Sequence, residues 1–107
     1  MAPFYADEIR DAIGHIRSQI GSKTDEVNQL TIVHVQNVSR IQDRLSQQIS
    51  EADTVLLLNQ NDDTVSQIRK IQEDISHMER RVVQLTLCRK VAIVREEYQR
   101  RLAGGFV

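Results

Sequence analysis

Tryptophan is absent from this 107-residue chain, and phenylalanine and tyrosine occur twice each. Large rings usually fill the centre of a small single-chain domain or stack on bases and flat ligands, so neither use is well supplied here. Proline occurs once, at Pro3, and nothing after it forbids helix. The four glycines, at 14, 21, 104 and 105, form neither a phosphate loop nor a dinucleotide fingerprint. The one cysteine, Cys88, has no internal disulfide partner, and no N-terminal apolar run resembles a signal peptide. An intracellular, cytoplasmic location is the expectation. Long apolar runs are missing too: stretches 55–58 and 91–94 hold four aliphatic residues each. Crossing a bilayer takes roughly 20. A soluble chain without a transmembrane segment follows, with membrane association only peripheral and through partners.

Charge of one sign is also lacking, since the formal net charge is -1, which argues against nucleic acid as a main partner. The charge is unevenly placed. Residues 1–63 carry five basic and ten acidic groups (-5), and residues 64–107 carry nine and five (+4). Such a dipole favours antiparallel apposition of the two halves, within one chain or between chains.

What the chain has in quantity is helical periodicity. Ile68, Ile71, Ile75, Met78, Val82 and Leu85 follow one another at alternating steps of three and four, the heptad pattern of a coiled-coil seam. A second, offset stripe continues at Leu87, Val91, Val94, Tyr98 and Leu102. A helix with two apolar faces is suited to more than one neighbour, as in a bundle. Upstream, Val27, Leu30, His34, Val38, Ile41, Leu45, Ile49, Ala52 and Leu56 read as an eleven-residue repeat. Tyr5, Ile9, Ile13, Ile16 and Ile20 mark a short amphipathic helix at the start.

The expected fold is all-α: a long antiparallel helical hairpin, coiled coil or bundle in character, with a short N-terminal helix. Residues 1–22 form that helix, 23–103 the hairpin and 104–107 a tail. The hairpin loop is placed near 59–63, where the sequence NQNDD collects residues that bond their own backbone. Asp63 or Thr64 would then cap the following helix. Gly21-Ser22, followed by Thr24-Asp25-Glu26, reads equally as a break or as an interior glycine passed in phase.

Reactive groups are sparse. His15, His34 and His77 are not at the spacing that brings two imidazoles to one metal, so no metal or cofactor is expected. His34, among apolar seam residues, reads as a polar contact that fixes register. Cys88 has no base near it in sequence and reads as a small near-seam hydrophobe. The acid pairs Asp62-Asp63, Glu73-Asp74 and Glu96-Glu97 read as solvated helix surface, and no catalytic site is expected.

The function expected is that of a non-catalytic interaction subunit, of scaffold, tether or adaptor type, assembling with other helical chains as a homo- or hetero-oligomer. Its partner interface would comprise the 68–85 seam, the 87–102 stripe and Val38, Ile41, Leu45 and Ile49. Arg80, Arg81, Arg95, Arg100 and Arg101 would select an acidic partner by charge pairing. In size and texture the chain resembles the short helical subunits of vesicle-tethering, lysosome-positioning and kinetochore complexes, a likeness of architecture without a shared motif. Two alternatives use the same residues: an escort covering a client's helix, and an arginine-dependent binder of nucleic acid or membrane surfaces.

Overall fold

The computed structural model describes residues 5–47 and 51–104. Two helices account for nearly all of them, α1 (Ala6–Gln47) and α2 (Glu51–Gly104), with no strand among the described residues. The chain is a helical hairpin, as its periodicity predicts. Acidic side chains occupy the first turn of each helix, Asp7 and Glu8 in α1 and Glu51 and Asp53 in α2, where they complement the helix dipole. Arg44 and Arg101 do the same at the two C-terminal ends.

Residues cluster into two units. The terminal unit is Met1–Ile20 with Ser76–Val107, and the central unit is Gly21–Ile75.

In the terminal unit α1 turns Ala6, Ile9, Ile13, Ile16 and Ile20 inward, and α2 turns Met78, Val82, Leu85, Arg89, Ala92 and Glu96 inward. Ala6, Ile9, Ile13 and Ala92 form its buried cluster, with Val82 and Leu85 packed on it. Ala92 is the most enclosed, at 2% exposure. Its methyl group lets the helices approach where a longer side chain would hold them apart. Glu96 closes the end of this interface: its Oε1 accepts from the Ala6 amide at 2.9 Å, satisfying one of the amides that a helix start leaves without an intrahelical acceptor. Glu96 is therefore a half-buried tie between helices and not the solvated acid its pairing with Glu97 suggests.

In the central unit the inward residues are Lys23, Val27, Leu30, His34, Asn37, Ile41 and Arg44 on α1, and Thr54, Leu57, Asn61, Thr64, Ile68, Ile71 and Ile75 on α2. Every step is three or four, in alternation, so the face repeats every seven residues. The expected eleven-residue repeat is thus corrected: Leu45, Ala52 and Leu56 are exposed, while polar Asn37, Thr54 and Asn61 are buried. A buried polar group needs a partner, and His34 Nδ1 donates to Asn61 Oδ1 at 2.8 Å. Lys23 and Asp74 lie 3.7 Å apart nearby, a solvent-screened pair contributing well under about 1 kcal/mol.

That His34–Asn61 bond also explains why no loop forms at 59–63. The segment is helix within α2, and Thr64 donates to the Gln60 carbonyl at 3.1 Å in place of capping a new helix. Asn and Asp disfavour helix by at most about 0.7 kcal/mol each, a preference that an interior hydrogen bond and the flanking apolar contacts outweigh. The described helices end at Gln47 and restart at Glu51, so the hairpin boundary is displaced from its expected place by roughly three turns of α-helix. The separate N-terminal helix is likewise absent as an element, because α1 runs unbroken through Gly21. A β-carbon at Gly21 would meet nothing within 4 Å, so that glycine serves no packing contact.

Register in the central unit depends on the His34–Asn61 pair, and single and double substitutions should separate its two roles. Asn61→Leu leaves the imidazole N–H without an acceptor and should destabilise by about 1 to 3 kcal/mol in denaturant unfolding. His34→Leu with Asn61→Leu should recover most of that stability. The double variant should instead give mixed cysteine cross-links between α1 and α2, since a uniform apolar seam tolerates slipped pairings. A single cross-link pattern in the double variant would show that register is set elsewhere.

Candidate functional site

The inward face engages much of the seam in which partner contacts are expected. Ile68, Ile71 and Ile75 are half-buried in the central unit. Met78, Val82 and Leu85 are half-buried in the terminal unit, the last two against its buried cluster. Ile41 is buried, Val38 half-buried and Leu45 exposed; Ile49 lies outside the described residues.

The offset stripe behaves differently. Leu87, Val91, Val94, Tyr98 and Leu102 are all between 50% and 70% exposed, and Val83, one turn earlier, is exposed as well. Together these six occupy one face of α2 within the terminal unit at steps of four, four, three, four and four. Val83 pairs with Val94, Leu87 with Tyr98, and Val91 with Leu102 at eleven residues, an 11-residue repeat that keeps to one side of a straight helix. The eleven-residue period is therefore present in this chain, on α2 and facing outward. Val83 belongs to the same spacing, four residues before Leu87, in a segment through which the stronger 68–85 heptad also runs.

An open, almost wholly apolar groove lies along the stripe, floored by Val91, Val94 and Tyr98 and edged by Lys90 and Arg95. A second depression, nearer the start of the stripe, is lined by Ser76, Glu79, Arg80, Val83 and Gln84. Basic groups thus border the apolar face at Arg80, Lys90 and Arg95. Arg100 and Arg101 are committed within their own helix, both reaching Glu97, at 3.2 and 3.5 Å. Arg81 is exposed.

Cys88, which the sequence suggests is a small near-seam hydrophobe, is exposed. Among the described residues no three His, Cys, Asp or Glu side chains are grouped closely enough to hold a metal ion. No described helix is long and apolar enough to cross a membrane.

On the α1 side of Lys90 the terminal unit carries a further concavity, lined by Arg10, Ile13, Gly14, Arg17, Thr86, Arg89 and Lys90. Along the sequence this site shows only as charge on α2. The contribution of α1 comes from Arg10 and Arg17, one turn to either side of Gly14, brought opposite Arg89 only when the helices pair.

No family model matches the chain, and no curated protein and no solved structure matches it.

Proposed function

We propose that this protein is a non-catalytic helical interaction subunit, whose α2 docks a partner helix along the Val83–Leu102 stripe within a multi-helix assembly. One observation carries the reading. Six large apolar side chains at a single helical spacing stay exposed after the chain has paired its own heptad faces. Contiguous apolar surface of this kind is rare on a monomer and marks an interaction site. A scaffold, tether or adaptor role follows from recognition by packing, with side chains of the stripe entering the spaces of a facing helix.

The charge around the stripe describes that partner. Arg80, Lys90 and Arg95 edge the face, so a helix with an apolar stripe and acidic flanks is the complement, and two copies of this face would oppose like charges. Wetter borders of an interface contribute orientation and association rate more than affinity.

In-cell photo-cross-linking tests the reading. A photoreactive residue at Leu87, Val94 or Leu102 should give the same discrete adduct, and one at exposed Ser18 or Arg81 should give none. Equal labelling from both sets of positions would refute the stripe as the docking face.

A further inference from the structure

Arg89 occupies a position on the inward face of α2 where Leu85 and Ala92, one turn before and one turn after it, are apolar. Its Nε is fully enclosed and has no hydrogen-bond partner. A charged donor left in that condition is expensive; the enclosed Nε is out of a ligand's reach, so a ligand meets Arg89 through its terminal N–H groups. The Arg89 side chain lines a cleft of about 310 Å³ together with Arg10, Arg17 and Lys90, and no carboxylate is among the lining residues. Asp7 and Asp11 reach Arg10, at 3.6 and 3.4 Å. Among the described residues, none of Arg17, Arg89 and Lys90 is paired with an acid. Thr86, whose hydroxyl donates to the Val82 carbonyl at 2.7 Å, does not accept from the Arg89 Nε. Gly14 forms part of the wall, and a β-carbon there would meet nothing within 4 Å. Its lack of a side chain is not needed for packing; it keeps the cleft open.

We infer that this cleft in the terminal unit binds a compact polyanion of the phosphate-ester class, held by Arg10, Arg17, Arg89 and Lys90. Three arginines favour phosphate, whose oxygens match the planar guanidinium fork. One carboxylate would leave several mutually repelling cations uncompensated, whereas a ligand with two or more charged phosphates balances them. At ~30 Å³ per water the cleft has room for about ten waters, enough for such a group. The site stands apart from the helix-docking proposal, since its lining residues other than Lys90 lie off the stripe.

Calorimetric titration of the purified full chain tests it, with pyrophosphate and inositol hexakisphosphate as probes at low and moderate salt. Saturable binding that weakens with salt is expected, reduced tenfold or more by Arg89→Gln and by Arg17→Gln and unchanged by Arg81→Gln. Gly14→Leu retains every charge and fills the mouth of the cleft from an exposed position, so it should also abolish binding; it decides the matter if Arg89→Gln fails to fold. Flotation with vesicles carrying phosphatidylinositol bisphosphate, against vesicles of equal charge carrying phosphatidylserine, separates the sources. Soluble probes alone binding identifies a free phosphate compound, and preferential, Gly14→Leu-sensitive vesicle binding identifies a lipid headgroup. Absence of binding to every probe at the lower salt, or binding indifferent to Gly14→Leu, overturns the proposal.

Discussion

Leu87→Asp combined with Val94→Asp should weaken partner association at least a hundredfold while leaving the helix content of the isolated chain unchanged. The two halves of that expectation come from different observations. Leu87 and Val94 are 58% and 70% exposed, so aspartate at either meets water and not a core, and surface substitutions of this kind usually move stability by under about 0.5 kcal/mol. In a docked complex the same positions lose their water. Burying an aliphatic side chain contributes about 1.5 to 3 kcal/mol, so removing two forfeits about 3 to 6. At 1.4 kcal/mol per decade that is a factor above ~100, before the desolvation of two carboxylates is added. The measurement is a binding titration with the cross-linked partner, beside a circular dichroism spectrum of each chain. A double variant that binds as well as the parent would remove the stripe from the interface.

Ala92→Asp should have the opposite profile, a severe loss of structure with no direct effect on the stripe. Ala92 is 2% exposed and sits with Ala6, Ile9 and Ile13. A carboxylate there is set among Ala6, Ile9 and Ile13, with Arg89 one turn away as the one cation on that face of α2, and must either be desolvated or force the helices apart. The penalty for an unpaired buried charge is several kcal/mol, a large part of the 5 to 15 kcal/mol that stabilises an ordinary domain. Helix pairing in the terminal unit should therefore fail. Hydrogen exchange should show protection lost in residues 6–20 and 76–104, and the Ala6–Glu96 tie with it. Ala92→Ser, which adds one small polar atom, should be tolerated far better. If Ala92→Asp kept the parent's exchange pattern and melting temperature, the terminal unit would not be held by this cluster.

Much of this could be read directly from residues. Ile68, Ile71, Ile75, Met78, Val82 and Leu85 repeat at heptad spacing, and that face is the one turned inward on α2. The 87–102 stripe was equally plain as a second face, and only its extension to Val83 was missed. Where the reading failed, it leaned on local preference. NQNDD has the composition of a turn and is helix; Leu45 and Leu56 are apolar and exposed, while Asn37 and Asn61 are polar and buried. In each case a preference worth a few tenths of a kcal/mol to about 1 kcal/mol was overridden by contacts from residues distant in sequence.

Apolar spacing along one helix is a property of neighbouring residues, so the sequence by itself determined that this chain is helical and carries more apolar face than one partner helix can cover. Which face meets its own second arm, where that arm begins, and that Arg10 and Arg17 stand across from Arg89 were decided by the tertiary structure alone. Those outcomes depend on pairing between residues tens of positions apart, whose register is set by total contact and by the His34–Asn61 bond, quantities that no local stretch of chain contains.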